Sequence, residues 1–204
     1  MKIELHDVSK GRDGESLPAI SFDYETGRAT FVRAETMQRP TVLGLIASGR
    51  MRPDSGSIRI DGEADDAGIR RRVALVDAPD ISEPASRVTV AGVTAEELMF
   101  AGRSAGHRAV RAWLRDQSLA HIARLPIVNV APRDRIELLT ELALLRPGVE
   151  GLVLVAPDRH GGPPLQWWRQ GQAIAERGFA MLMIAGDASA TVIEAATADP
   201  GRAA

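Results

Sequence analysis

The segment that decides the fold is FVRAETMQRPTVLGLIASGRMRPDSGSIRIDG, residues 31–62. Its start predicts a strand over residues 29–32, which leads into a short polar loop. Pro40 suits the first turn of a helix, where its missing N–H costs nothing, and Ser48-Gly49 predicts the end of that helix. A turn rich in Pro, Asp, Ser and Gly then precedes a strand predicted over residues 57–60. A strand, a loop and a helix in this order predict an α/β fold.

The rest of the chain continues this pattern. Strands are predicted over residues 2–8, 19–24, 73–76, 151–156 and 179–185, and helices over residues 89–102, 108–124, 132–145, 165–177 and 188–196. The last three strands are continuous apolar runs, which are typical of strands buried on both faces of a sheet. The order is a β-rich start, a strand–loop–helix unit, an all-helical middle and a β-α-β-α end. This order predicts an α/β sheet with a helical insertion.

The composition limits the classes of function. A net charge of −2 and a pI of about 6.1 give no indication of nucleic-acid binding. The absence of cysteine excludes disulfides, thiolate metal sites and cysteine nucleophiles. Residues 1–6 alternate like a strand and lack the apolar stretch of a secretory signal, and the longest apolar runs fall short of the ~18 residues that a membrane helix needs. The sequence predicts a soluble, cytoplasmic protein that reaches a membrane only through a partner.

Several framework phrases resemble the nucleotide-binding domain of ABC transporters, the ATP-binding cassette. They are LHDVSKG (5–11), ISFDYETG (20–27), LIASGRMRPDSGSIRIDG (45–62), RRVALV (71–76), VTAEELMFAGR (93–103) and LALLRPGVEGLVLV (142–155). The resemblance covers nearly the whole chain and implies a P-loop NTPase-like α/β fold, in which a mixed sheet has an antiparallel N-terminal part. It implies an α/β core over residues 1–88 and 131–198, with an inserted helical subdomain over residues 89–130. The tail, residues 199–204, is expected to be disordered.

The phosphate-binding motif of that family, Walker A, falls on residues 33–41. A phosphate cradle needs glycines, because several backbone N–H groups must point inward around the phosphate. Arg33 and Gln38 replace both glycines, Arg39 replaces the lysine, and Pro40 replaces the hydroxyl residue that binds Mg²⁺. Only Thr41 keeps the pattern. Arg39 and Thr41 are therefore the candidate nucleotide-binding residues, with a plain surface arginine at a helix start as the alternative for Arg39.

The glutamine loop and the signature motif are also replaced. Asp77 and Asp80 follow the strand at 73–76, where the glutamine would lie, and are interpreted either as cation ligands or as a solvated turn. The signature falls on residues 130–134 with every position changed. Within it, Pro132 predicts an ordinary helix start.

The remaining catalytic positions do not carry the family's chemistry. Val155 and Ala156 lie where the resemblance places the Walker B aspartate and the catalytic base, and Asp158 could substitute only with a shifted register. Gly186-Asp187 stands in place of the switch histidine, and His160 is the nearest imidazole, expected to be solvated. Residues 11–16, where an aromatic ring would stack on adenine, contain none.

Together these replacements predict that the chain does not hydrolyse ATP, and ATP and Mg²⁺ are not expected as cofactors. The resemblance then implies a pseudo-ATPase subunit with a structural or regulatory role in a membrane complex. It would bind a permease-like subunit through the region 89–126, and a second cassette as a homodimer or as a heterodimer with an active ATPase. Trp113, Trp167 and Trp168 are candidate contact residues, because tryptophan is enriched at interfaces, and one ring of the adjacent pair is expected to be exposed. The alternatives are a weakly active ATPase that uses Arg39 and Asp158, or a free-standing cytosolic regulator.

Overall fold

The computed structural model describes residues 1–35 and 39–198. The expectation for the tail and the Walker A position Gln38 lie outside the described residues. The strands are β1 (Lys2–Lys10), β2 (Leu17–Glu25), β3 (Ala29–Arg33), β4 (Ser55–Ile60), β5 (Val73–Val76), β6 (Gly151–Val155) and β7 (Ala180–Ala185). The helices are α1 (Arg39–Ala47), α2 (Asp66–Arg72), α3 (Val90–Phe100), α4 (His107–Asp116), α5 (Pro132–Ala143), α6 (Pro164–Glu176) and α7 (Asp187–Ala198).

The strands form two sheets. An antiparallel sheet has the order β2-β1-β4, and a parallel sheet has the order β3-β7-β6-β5. The prediction of an antiparallel N-terminal part beside a parallel α/β part is therefore confirmed. Among the described strands, β5 lies at one edge of the parallel sheet and pairs only with β6.

The parallel strands are buried on both faces, as their apolar sequences predict. On one face, Leu152 and Leu154 pack with the helices α3 to α6. On the other face, Val153 and Val155 pack with α1 and the antiparallel sheet. The alternation follows from the two-residue period of a strand, which sends successive side chains to opposite sides. Two apolar clusters thus hold the parallel sheet between them.

Helix α1 packs closely on the parallel sheet through Gly44. A Cβ atom at Gly44 would lie 2.6 Å from Cγ2 of Val155, so no larger residue fits without movement. This contact holds α1 against β6 of the parallel sheet. Helix α1 follows β3 in the chain, as the sequence predicted.

The all-helical middle differs from its prediction in one helix. The helix predicted over residues 108–124 ends at Asp116, because Ser118 has a positive φ of 62° that an α-helix does not allow. Two short 3₁₀ turns, Ala120–Ile122 and Ile127–Asn129, follow instead. The division of the chain into a core and a subdomain over residues 89–130 stays a prediction. Within the described residues, no helix is long and apolar enough to span a bilayer.

Candidate functional site

The candidate residues converge where the parallel strands end. Arg33 closes β3, Asp77 follows β5, Asp158 and His160 lie in the 3₁₀ turn after β6, and Asp187 begins α7 after β7. Parallel strands place their carboxyl ends along one edge of the sheet, and ligands of open α/β sheets bind outside that edge. The structure therefore brings these five residues to the same edge of the sheet.

The loop after β3 is tied to α7 by charged groups. Arg33 Nε lies 3.3 Å from Asp187 Oδ1, and its Nη2 donates to Glu194 Oε1 at 3.1 Å. The backbone N–H of Asp187 donates to Glu35 Oε1 at 2.6 Å. The side chain of Arg33, which was predicted to replace the first Walker A glycine, thus contacts α7.

Asp158 also binds the start of α7. Its Oδ2 accepts a hydrogen bond from Gly186 N at 2.9 Å and one from Ser189 Oγ at 3.3 Å. A Cβ atom at Gly186 would lie 2.8 Å from Glu35 Oε1 and 3.3 Å from Asp158 Oδ2, so both carboxylates lie close to this glycine. A helix start attracts anions because its N–H groups are unpaired and its dipole is positive there. Here the protein's own carboxylates take that place.

Arg39 and Thr41 lie in the first turn of α1, both half-buried. Within the described residues, no hydrogen bond or ion pair involves either side chain. The loop before them includes residues 36–38, which lie outside the described part. Among the described residues, no group of three or more acidic or histidine side chains is arranged to hold a metal ion.

Asp77 forms a buried polar cluster, and its side chain is only 1% exposed. Arg135 donates to both of its oxygens, from Nη2 to Oδ1 at 2.6 Å and from Nε to Oδ2 at 3.0 Å. Arg159 Nη2 lies 3.0 Å from Oδ1, and His160 Nε2 lies 2.9 Å from Oδ2. We call these four residues the Asp77 cluster. The solvated turn expected for Asp77 is wrong, whereas Asp80 does lie exposed in the turn.

The Asp77 cluster joins three elements. Asp77 directly follows β5, Arg135 belongs to the first turn of α5, and Arg159 and His160 belong to the 3₁₀ turn after β6. The expectation that His160 is merely solvated is therefore wrong. Burial acts to raise the pKa of Asp77, but hydrogen bonds from His160 and Arg135 and the charges of Arg135 and Arg159 outweigh it, so its pKa lies below the ordinary value. Asp77, which the sequence analysis placed at the position of the family's glutamine, is thus a buried charged residue that links three elements.

Sequence reasoning missed Arg135. This arginine is the fourth residue of α5, which begins at Pro132 as predicted. It shares a face with Leu138, Leu139 and Leu142, at the spacing of one helix stripe. An arginine on an apolar stripe signals a buried cation that needs a buried anion, and an aspartate directly after a buried strand is a natural partner. That signal could have found the pair.

The tryptophans mostly belong to the core. Trp167 and Trp168 are both buried, so the expectation that one of these rings is exposed is wrong. Phe31 stacks on Trp167 with ring centroids 6.3 Å apart and meets Trp168 edge-on at 6.4 Å. Two adjacent rings can both be buried because Phe31 of β3 contacts both. Trp113 is half-buried and packs against the helical part of the core.

A groove runs along the edge strand β5, with a cavity of about 580 Å³. We call it the β5 groove, and its lining includes Arg50, Arg70, Val73, Ala74, Phe100 and Arg146. Phe100 and its neighbour Met99 are each 62% exposed, which is unusual for large apolar side chains. The groove therefore combines cationic walls with exposed apolar side chains.

Two arginines of the β5 groove lack a carboxylate. Arg50 Nη1 donates to the carbonyl oxygens of Ser48 and Val73, and Arg70 Nη1 donates to that of Gly49. Within the described residues, neither is recorded in an ion pair. Burial and the charge of Arg146 lower the pKa of Arg50. The groove thus holds positive charge that the described part of the chain does not neutralise.

Solved structures of similar shape identify the fold. The dimeric structure of MJ0796, a bacterial ABC transporter cassette, matches with a TM-score of 0.65 and 15% identity, over 91% of this chain and 88% of that chain. The structure of an ATP binding subunit of an ABC transporter matches with 0.59 and 18% identity, over 91% and 80%. CbiO1 from Clostridium perfringens, part of the ABC transporter complex cbiONQ, matches with 0.62 and 16% identity, over 91% and 78%.

No protein-family model and no curated protein sequence matches the chain. The structural likeness extends over about nine tenths of its length. The chain therefore has the fold of an ATP-binding cassette, as its framework phrases predicted.

Proposed function

We propose that this chain, with its ATP-binding-cassette fold, is a subunit that does not hydrolyse ATP and serves a structural or regulatory role in a membrane complex. The observation that carries the proposal is the state of the sheet edge where the nucleotide would bind. The carboxylates Glu35 and Asp158 take the start of α7, and Asp77 is held by Arg135, Arg159 and His160. These charged groups already stabilise the fold.

The chemistry of phosphoryl transfer supports the same reading. It depends on positioning and on charge stabilisation by a lysine, Mg²⁺ and a group that orients the attacking water. Losing one such stabilising group typically lowers the rate by about 10² to 10³. Here Val155 and Ala156 replace both Walker B carboxylates, and Asp158 is used to bind Gly186 and Ser189. A phosphate near α7 would also be repelled by Glu35 and Asp187.

The β5 groove supplies a surface for a membrane partner. Exposed Phe100 lines the groove and exposed Met99 is its neighbour in the chain, and such exposed apolar side chains favour contact with another protein. The unneutralised arginines Arg50 and Arg70 would attract acidic or carbonyl groups of that partner. We propose that a cytoplasmic segment of a permease-like subunit binds there, which would hold this chain at the inner face of the membrane. A second cassette, identical or catalytically active, is the other proposed partner, and Trp113 remains a proposed contact residue.

One observation favours a second candidate, a cassette that still binds ATP weakly. Arg39 and Thr41 are half-buried at the start of α1, and no bond to another described residue occupies either side chain. A helix start with an adjacent arginine attracts phosphate. In this case Arg39 would be the phosphate ligand, without hydrolysis.

A site-specific cross-link tests the proposed docking surface. A photoreactive amino acid is placed at Phe100 in the full chain, in the cells that produce it, with Val192 as the control because it is also exposed and lies on α7. The proposal predicts a cross-link to a multi-span membrane protein from Phe100 and not from Val192. Equal cross-linking from both positions, or none from Phe100, would contradict the assignment of the β5 groove.

Hydrolysis is tested separately with the purified chain. Phosphate release from Mg-ATP is expected to stay at the level of buffer, and the Asp158→Ala variant is expected to behave identically. Turnover that disappears in Asp158→Ala would reject the non-hydrolysing role and assign a catalytic role to that carboxylate.

A further inference from the structure

A second groove lies in the helical middle of the chain, away from the sheet edge and the β5 groove. Helix α4 forms one wall and the 3₁₀ turn Ala120–Ile122 forms the other, and the cavity between them has a volume of about 390 Å³. We call it the α4 groove. Its size falls within the range typical of small-molecule sites, about 300–1,000 Å³.

The floor of the α4 groove is apolar. It is formed by Ala91 of α3, Val110 and Leu114 of α4, and Ala123. Val110 and Leu114 are buried members of the core, so the floor is held rigidly by the packing beneath it. Such a floor favours the alkyl or aryl part of a ligand, because covering it removes apolar surface from water.

The rim of the α4 groove is basic. It carries His107 and Arg111 on α4, and His121 and Arg124 on the opposite wall. His121 lies 3.4 Å from a carboxylate oxygen of Asp134. Within the described residues, Arg111 and Arg124 are recorded in no ion pair. The two arginines thus stand on opposite walls of an apolar groove without a counter-charge.

The sequence around the groove also contains more basic than acidic residues. Residues 101–130 contain five arginines and a single acidic residue, Asp116, in a chain whose net charge is −2. The β5 groove is partly neutralised by comparison, since Arg72 is paired with Glu150 and Arg146 with Glu97, although Arg50 and Arg70 are not. Positive charge has therefore been left without partners at the α4 groove.

We propose that the α4 groove binds a small anionic amphiphile. Its oxyanion head, a phosphate or a carboxylate, lies between Arg111 and Arg124, and its short alkyl chain covers the floor. Arginine suits this role because its planar guanidinium donates two parallel hydrogen bonds to an oxyanion. The proposal is independent of the proposed function, because it uses no residue of the sheet edge or of the β5 groove.

Titration of the full chain with octyl phosphate, below its micelle concentration, tests the site by calorimetry. We expect saturable binding with one ligand per chain, weakened about tenfold or more in the double variant Arg111→Gln/Arg124→Gln, because two charge-assisted contacts are lost. The matched control is Arg108→Gln/Arg115→Gln, which removes the same charge from exposed positions of α4 outside the groove. The control is expected to bind within about twofold of the unmodified chain. All four side chains are exposed, and thermal unfolding followed by circular dichroism checks that both variants fold.

Three further results would overturn the proposal. Equal weakening in both double variants would mean that general electrostatic attraction, and not the groove, binds the anion. Inorganic phosphate binding as tightly as octyl phosphate would mean that the apolar floor contributes nothing. The third result is that the chain does not bind octyl phosphate but sediments with phosphatidylglycerol vesicles and not with phosphatidylcholine vesicles. This result would mean that the arginines bind an anionic membrane surface instead.

Discussion

Arg135 donates hydrogen bonds to both carboxylate oxygens of Asp77, at 2.6 and 3.0 Å, and so joins the end of β5 to the start of α5. Both side chains are almost fully buried, since Arg135 is 5% exposed and Asp77 is 1% exposed. The pair occupies the position where an ATP-binding cassette is expected, from the family resemblance, to place a catalytic glutamine. The pair thus links the parallel sheet to the first helix after the 3₁₀ turn Ile127–Asn129.

Removing Asp77 is expected to destabilise the fold strongly. Asp77→Ala leaves Arg135 as a buried cation without its anion, which typically costs about 3–5 kcal/mol of unfolding free energy. Urea unfolding, followed by tryptophan fluorescence, measures the loss. The double variant Asp77→Ala/Arg135→Met is expected to recover part of it, because no unpaired buried charge remains. A double variant as unstable as the sum of both single changes would contradict this explanation.

The Asp77 cluster also predicts a pH dependence. Because the pKa of Asp77 is lowered in the folded protein, its ionised form stabilises the fold above its ordinary value of 3.8, and this contribution is lost as the pH falls through the lower folded-state pKa. The stability difference between the unmodified chain and Asp77→Asn is therefore expected to shrink from roughly pH 5 down to pH 2. Urea midpoints across that range measure it. A difference that stays constant would mean that the Asp77 charge does not contribute.

Gly44 is expected to tolerate no side chain. Gly44→Ala would ordinarily favour a helix, but its Cβ would lie 2.6 Å from Val155, so a loss of about 1–3 kcal/mol is expected. The second change Val155→Ala removes the obstructing methyl groups and is expected to recover part of the loss in a double-mutant cycle. A more stable Gly44→Ala variant would show that α1 does not pack against β6 as described.

Asp158 is expected to act on stability alone. Asp158→Ala removes the acceptor of the Gly186 N–H, and the loss of such a helix-start hydrogen bond costs about 1 kcal/mol. Asp116→Ala is the matched control, because that exposed carboxylate has only a distant contact with Arg115 at 3.9 Å. Equal thermal unfolding temperatures for the two variants would contradict the anchoring role of Asp158.

The sequence predicted the framework better than the site. The apolar runs that form β5, β6 and β7, and the helix start at Pro132, depend on local patterns and were confirmed. The Asp77 cluster was missed, because Asp77 and Arg135 are 58 residues apart and each is usually a surface residue by type. The position of Arg135 on an apolar helix stripe was the one local signal of its burial. The burial of Trp167 and Trp168 depends in the same way on Phe31, far away in the chain. Interactions of this kind follow from the packing of the whole fold.

The most direct measurement is a calorimetric titration of the purified chain with Mg-ATP up to millimolar concentration, with Arg39→Ala titrated in parallel. Our account predicts no saturable heat from either protein, with both shown to be folded by circular dichroism. Saturable binding that is weakened or lost in Arg39→Ala would contradict it, and would make Arg39 a working phosphate ligand in a nucleotide site that the cassette has kept.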